Sequence, residues 1–355
     1  MHDVVIVGGS FAGLAVAMRL RGHRVLLIDQ HPIGSHQMST CGIPHRLATL
    51  LGAEDAIMET HDAAIIHVNG RRFRFELPEP YATFNYRRFC ELMLEQTDAE
   101  VVTARATARD GATVITTSGE FIGRFLVIAT GWRAFGSTLA GEPGNIPLAA
   151  RGLETELPLR LDIEPGLHFY FERHIIESGY AWVFPCGNHT RIGLGSAGDV
   201  DALRRRLDRF VHEFGLEVGP THGGVMPFVR REPVVDGAFL VGDAAGQCLP
   251  TTAEGIRVAV RHGLACGQLL AMALRGEIDG ETARRRYRDL VARTDRSHHR
   301  LTRLMRLVDR APEPALELVA RVTQPKAVSD WLIRRYLTDT GWPTPRSLRS
   351  SSAAC

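Results

Sequence analysis

The run Val4-Val5-Ile6-Val7-Gly8-Gly9-Ser10-Phe11-Ala12-Gly13-Leu14 restricts the fold more than any other stretch of this chain. A short β-branched apolar run ends in a small-residue turn, and Leu14 to Leu20 has the Ala/Leu spacing of a packed helix. The order strand, tight turn, helix aims free N–H groups and the positive end of a helix dipole at the turn, which suits a pyrophosphate. Small residues let the phosphate approach the backbone. The three small positions are Gly8, Ser10 and Gly13, with serine where the pattern has its middle glycine. Its hydroxyl can bind a phosphate oxygen. A second apolar run, Arg24 to Ile28, ends in Asp29, about 20 residues past the turn, where such units place the acid that holds a ribose. Strand, turn, helix, strand and acid together read as a βαβ nucleotide-binding unit.

At 355 residues with 45% hydrophobic content, the chain can bury a large core, and two domains are expected. A net charge of +2 makes no demand for a nucleic-acid partner. No segment reads as a signal peptide or as an apolar membrane span, so a cytoplasmic protein is expected. Cys41, Cys90, Cys186, Cys248, Cys266 and Cys355 show no CxxC pair and no metal-ligand spacing, so they read as free, mostly buried thiols and no metal is expected. His298 and His299 lie in an arginine-rich helical stretch and read as part of a solvated face.

Beyond Asp29, residues 30–44 read as a loop with Ser39-Thr40-Cys41-Gly42-Ile43-Pro44 at its core, and Arg46 to Met58 as a helix. Two alternating runs around Asn69-Gly70 form a hairpin outside the βαβ unit, and so belong to a second sheet. Arg87 to Thr97 is amphipathic. Strands are expected at Glu100–Ala104, Thr113–Thr116 and Phe121–Phe125, leading into Leu126-Val127-Ile128-Ala129-Thr130-Gly131, a buried strand ending in a small-residue turn. Pro158 to Gly195 is strand-rich, and Val200 to Phe214 is helical. Gly242-Asp243-Ala244-Ala245-Gly246 and Pro250 to Ile256 precede a long helix to Leu274, with further helices to about Leu337. The tail from Pro343 to Cys355 is expected to be disordered. The expected units are a discontinuous nucleotide-binding domain (1–60, 85–155, 228–275), a substrate domain (61–84, 156–227) and a C-terminal helical region (276–355).

Three blocks, the first turn with Asp29, Ala129-Thr130-Gly131, and Gly242-Asp243 with Gly255-Ile256, resemble the superfamily of FAD-dependent aromatic hydroxylases, flavin halogenases and geranylgeranyl reductases. The likeness spans roughly Val4 to Leu274. It implies a discontinuous Rossmann-like FAD domain, a mixed substrate sheet and C-terminal helices. Implied cofactor contacts are Gly8, Ser10, Phe11, Ala12, Gly13, Asp29, Gln30, Cys41, Gly42, Arg87, Ala104, Ala129, Thr130, Gly131, Gly242, Asp243, Gly255 and Ile256. Asp243 would meet the ribityl or pyrophosphate region, and the helix start at Gly255-Ile256 the flavin ring.

Tyr180-Ala181-Trp182-Val183-Phe184-Pro185-Cys186-Gly187 resembles the aromatic-x-Trp-x-Phe-Pro-x-Gly motif of the geranylgeranyl reductases. On a strand, Tyr180, Trp182 and Phe184 share one face, a wall suited to a long apolar substrate, with Pro250 also implied in the pocket. Cys41-Gly42 resembles a pair in the same family, and a thiol there could position or protonate a substrate carbon. Thr130 stands where aromatic hydroxylases carry aspartate, Lys326 is the sole lysine where halogenases need one in the N-terminal half, and Ala253 replaces a usual glycine. The expected activity is reduction of isoprenoid-type C=C bonds by reduced FAD, supplied by NAD(P)H or a reduced electron carrier. An FAD monooxygenase and a non-redox flavin-dependent cyclase are the alternatives. Expected partners are a small apolar substrate and an electron-donor protein. Arg284 to Arg310 offers a possible peripheral membrane contact, although the interleaved Asp289, Asp295 and Asp309 favour a solvated helix.

Overall fold

The computed structural model describes residues 1–132, 149–197 and 200–342. The chain begins with β1 (His2–Val7), α1 (Phe11–Ala17), β2 (Val25–Asp29), β3 (Gly42–Pro44) and α2 (His45–Leu50). The hairpin β4 (Ile57–Val68) and β5 (Arg71–Phe84) leads into α3 (Tyr86–Glu95), then β6 (Glu100–Thr103), β7 (Ala106–Asp110), β8 (Thr113–Thr116) and β9 (Gly119–Ile128). Next come β10 (Ala149–Leu157), β11 (Leu167–Tyr170), β12 (Tyr180–Cys186), β13 (His189–Ser196), α4 (Val200–His212) and β14 (Thr221–Pro227). The C-terminal part holds β15 (Val234–Val235), β16 (Ala238–Leu240), α5 (Ile256–Leu274), α6 (Gly280–Ala292), α7 (Asp295–Arg310), α8 (Glu313–Thr323) and α9 (Lys326–Asp339).

Among the described residues two eight-stranded sheets result. In the first, β1 lies between β2 and β9, parallel to both, and β6 and β16 extend the parallel arrangement. Every residue of Val4 to Val7 is buried. Val4 and Ile6 pack with residues of α1 and α5 on one face, and Val5 and Val7 with Val114 and Ala244 on the other, the two-sided burial that a near-continuous apolar run in a parallel sheet reflects. The second sheet has the order β14-β10-β13-β12-β11-β4-β5-β3 and is antiparallel except where β11 meets β4. The expectation of a Rossmann-like unit with a separate mixed sheet is met.

The hairpin turns at Asn69 and Gly70, with φ of 54° and 69°. Two successive positive values define the turn whose twist matches paired strands, which explains why Asn-Gly marks it. The stretch read as one helix from Arg46 to Met58 is three pieces. Helix α2 stops at Leu50, a single 3-10 turn covers Glu54–Ala56, and Ile57 is already in β4, paired with Phe84. Long-range pairing outcompetes local helix propensity there. Sheet membership also crosses the expected unit boundaries: β3, the start of β4 and β10 all hydrogen-bond in the second sheet, and a boundary at 155 falls inside β10. The tail from 343, read as disordered, lies outside the described residues.

His298 corrects the reading of a solvated face. It is buried, and burial beside Arg230 pushes its imidazole pKa down to about 3, so it stays neutral. His299 is exposed, as expected. Among the described residues, five cysteines are free and buried, no His/Cys/Asp/Glu cluster could hold a metal, and no helix is long and apolar enough to cross a membrane.

Candidate active site

A cleft of about 1540 Å³ lies between the two sheets. Ordinary small-molecule sites measure roughly 300–1,000 Å³, so this one has room for a dinucleotide and a second, apolar ligand. At one end sits the β1–α1 turn. Gly13 does not line the cleft, and a Cβ on it would sit 1.9 Å from the Gly8 carbonyl oxygen. Its role is therefore the close contact of helix and strand, which holds Gly8, Gly9, Ser10, Phe11 and Ala12 at the cleft wall. The Gly9 and His31 N–H groups donate to the two Asp29 carboxylate oxygens at 2.7 and 2.8 Å. Each oxygen keeps a lone pair for a further donor. The Ser10 hydroxyl pairs with Tyr86 OH at 3.0 Å, so it is anchored from α3, a contact the sequence did not disclose.

Gln30, Ala104, Ala129, Thr130 and Gly131 line the same end of the cleft, as do Gly242, Asp243, Gly255 and Ile256. Asp243 is half-buried at the cleft with no charged partner among the described residues, and desolvation alone raises its pKa to about 6. The N-terminus of α5 faces the cleft with Gly255 as its cap residue and no side chain satisfying its first N–H groups. Besides Gly13, two sequence-derived positions fall outside: Arg87 is exposed on α3 and Pro250 is buried, and neither lines the cleft. Asn85 caps α3, its Oδ1 accepting the Arg88 N–H at 2.9 Å, and Arg87 in the first turn is left exposed to solvent.

The other end is the aromatic wall. Tyr180, Trp182 and Phe184 all line the cleft from β12, joined by Phe169 and Tyr81. The Trp182 indole N–H donates to Glu154 Oε2 at 2.6 Å, and Gly193 leaves room for its ring, since a Cβ there would sit 2.4 Å from it. Glu154 is only 2% exposed, and its Oε1 faces His222 Nε2 at 3.0 Å. Both residues line the cleft, and β10–β14 pairing sets them directly opposite one another. Neither was a sequence candidate. The one available signal was a carboxylate at an inward position of a strand, Leu153-Glu154-Thr155.

Cys41 is fully buried in the cleft wall with φ of 58°, a left-handed conformation that costs a non-glycine residue of order 1 kcal/mol. Its S–H donates to the Ser39 carbonyl at 3.2 Å, and burial raises its pKa far above the ordinary thiol value, so it holds its proton. The loop is fixed by Arg191, 1% exposed, whose guanidinium donates to the carbonyls of Thr40 and Phe84 at 3.0 and 3.1 Å and to Glu156 at 2.6 Å. A buried arginine inside the strand Thr190-Arg191-Ile192 was a legible anomaly that the sequence reading passed over.

Residues 201–289 match the sequence model of the family described as "FAD binding domain". Digeranylgeranylglycerophospholipid reductase 2 of Methanothermobacter thermautotrophicus is 26% identical, covering 92% of this chain and 93% of its own. The digeranylgeranylglycerophospholipid reductase of Methanoculleus marisnigri is 29% identical over 77% of each chain. Among solved structures, a geranylgeranyl bacteriochlorophyll reductase-like protein from Thermoplasma acidophilum shares the fold with a TM-score of 0.83 at 20% identity, covering 100% of this chain and 99% of that one. Over nearly its whole length the chain is similar to reductases of geranylgeranyl lipids. It is an FAD-dependent oxidoreductase. The residues present fit that cofactor on the structure's own terms. Thr130 Oγ1 is buried at the cleft without a hydrogen-bond partner, the α5 N-terminus is uncapped toward the same space, and the two acids there, Asp29 and Asp243, suit hydroxyl groups.

Proposed function

We propose that this enzyme reduces carbon–carbon double bonds of an isoprenoid lipid or a similar long apolar substrate. The observation that carries the reading is the aromatic wall of Tyr180, Trp182, Phe184 and Phe169, continuous with a cleft larger than a dinucleotide needs. The digeranylgeranylglycerophospholipid reductases named above support it.

In this reading Gly8 to Ala12 receive the pyrophosphate of FAD, with Gly13 packed behind. Asp29 and Gln30, with Ala104 nearby, take the adenosine side, and Ala129 to Gly131 border the middle. Gly242, Asp243, Gly255 and Ile256 take the ribityl and flavin end, against Cys41 and Gly42. When bound and reduced, FAD supplies the hydride that adds to one alkene carbon. Everything else falls to the chain. The aromatic wall excludes water and aligns the substrate beside that donor. A proton must reach the second alkene carbon, and two groups in the wall can hold one. The Cys41 thiol stays protonated through burial. Glu154 Oε1 and His222 Nε2 lie within hydrogen-bond reach at 3.0 Å, with Trp182 fixing the other carboxylate oxygen, and together they form the second candidate proton source. Arg191 acts as a positioning residue by anchoring the carbonyl next to Cys41. The reductant in the cell is NAD(P)H or a reduced carrier protein.

The purified protein, reduced with dithionite and given a geranylgeranyl-chain lipid without oxygen, is expected to yield product two mass units heavier per double bond. A gain of sixteen in the presence of oxygen, or an isomer of unchanged mass, overturns the reading. Glu154→Gln is expected to slow single-turnover reduction by about 10²-fold or more with flavin content unchanged, the usual size of a lost acid–base group. If Cys41→Ser alone has that effect and Glu154→Gln has none, the proton comes from the thiol.

A further inference from the structure

Helices α7, α8 and α9 carry apolar residues on the faces they turn to solvent. On α8, Leu318 and Val322 are 61% and 62% exposed, with Val319 between them. Leu307 on α7 is 67% exposed and Trp331 on α9 is 64% exposed. Spacings of three and four residues make these stripes along helices rather than scattered side chains. Isolated exposed apolar residues need no account, but stripes on three successive helices do.

The stripes adjoin the active-site cleft. Met305, Arg306 and Val308 of α7 and Leu332 and Ile333 of α9 belong to its wall, and Arg306 and Leu332 are also exposed, so the cleft opens between α7 and α9. The charges around this mouth are lopsided. Each carboxylate on the three helices has a partner within the chain: Asp295 meets Arg230, Asp309 takes the Gly179 N–H, and Glu313 takes the Arg173 N–H. Glu317 pairs with Arg71 and Arg321, Asp330 with Lys326, and Asp339 with Arg335. By contrast Arg303, Arg306, Arg310 and Arg334 are exposed and, among the described residues, have no carboxylate partner.

We infer that this face seats on an anionic phospholipid bilayer, with the apolar stripes among the acyl chains, the four arginines at the phosphates, and the cleft mouth open to the lipid layer. Apolar side chains fringed by unpaired cations are what an anionic interface complements, and a tryptophan among them suits the headgroup boundary. A second copy of this chain fits less well, because two-fold pairing of the face would set its arginines against each other. Of the interleaved aspartates on α7, Asp295 faces Arg230 and Asp309 accepts the Gly179 N–H, so both are engaged within the chain. This inference is independent of the reaction assigned above, and its test uses neither flavin nor turnover.

The full chain is mixed with phosphatidylglycerol/phosphatidylcholine vesicles and with pure phosphatidylcholine vesicles at low salt. Expected results are cosedimentation with the anionic vesicles, at least about tenfold weaker binding to neutral ones, and loss of binding at high salt. Brominated lipid should quench Trp331 emission, a change absent in Trp331→Phe. The exposed triple variant Leu307→Ser, Leu318→Ser, Val322→Ser should keep its circular dichroism and melting curve and bind at least about tenfold more weakly. No vesicle binding by the full chain overturns the inference, whether or not a chain ending at 342 binds. So does a dimer in sedimentation equilibrium that the triple variant dissolves, or binding that is equal for neutral and anionic vesicles.

Discussion

Asp243 is a carboxyl group held at a cost. With its pKa raised from 3.8 to about 6, the folded protein holds the proton more tightly than the unfolded chain, so stability falls as pH rises from about 4 through 6 and then levels off. Flavin-free Asp243→Asn should therefore be more stable than the parent at pH 8, by up to about 3 kcal/mol, with the difference vanishing near pH 4. Calorimetry at the two pH values checks this. The same variant should bind FAD more weakly, measured by fluorescence titration; unchanged affinity removes Asp243 from the cofactor site. Ala253 is a second strained residue. It stands where a glycine was the usual expectation and has φ of 52°. Ala253→Gly relieves the left-handed strain at some cost in unfolded-chain entropy, and a net gain of about 0.5–1 kcal/mol in chemical denaturation is expected.

Among the elements, β13 matters through one side chain. Arg191 connects it to the Cys41 loop and to the end of β5 through backbone carbonyls that have no water to turn to. Arg191→Met leaves those acceptors bare and should cost about 2–4 kcal/mol. Its specific readout is access: in the native parent Cys41 is fully buried and resists thiol reagents, whereas in the variant mass mapping should find it modified. A variant that is less stable while Cys41 stays unreactive would show that Arg191 supports the sheet without positioning the loop. Helices α1 and α5 form the other critical contact. Cβ atoms at Gly263 and Gly267 would sit 2.6 and 2.4 Å from backbone oxygens of α1, so the two helix N-termini at the cleft are set by close backbone packing.

For the whole molecule, the cofactor is expected to bridge parts of the first sheet distant in sequence, from Gly8 to Gly255. Binding to the folded state alone stabilises by mass action, about 2.7 kcal/mol at a hundredfold excess over Kd. For a chain of this size that corresponds to a melting point roughly 4 °C higher with FAD than without. A shift that does not grow with FAD concentration would show that the flavin does not bind the native state specifically. The C-terminal helices share in this unit. Arg257 at the start of α5 pairs with Glu254 at 2.5 Å and donates to Thr340, Tyr336 OH also reaches Glu254, and Trp342 Nε1 donates to Glu79 in β5. The helical region is thus fastened both to the start of α5 and to the second sheet.

What the sequence determined by itself was local. The glycine turn after β1, Asp29 about 20 residues on, the Asn69-Gly70 hairpin and the alternation of Tyr180, Trp182 and Phe184 each express a constraint within a few bonds or one strand, so the residue types reveal them. They were enough to foresee the Rossmann-like unit, the second sheet and the aromatic wall. Tertiary structure alone decided which distant residues meet. Glu154 and His222 are opposed by β10–β14 register, Arg191 reaches the Cys41 loop across the sheet, and Ser10 is held by Tyr86. It also decided which helix faces stay exposed: His298 went inside, while Leu307, Leu318 and Trp331 stayed out. Such contacts arise from strand pairing and helix packing over scores of residues. Their energy belongs to the assembled chain, and no short pattern carries it.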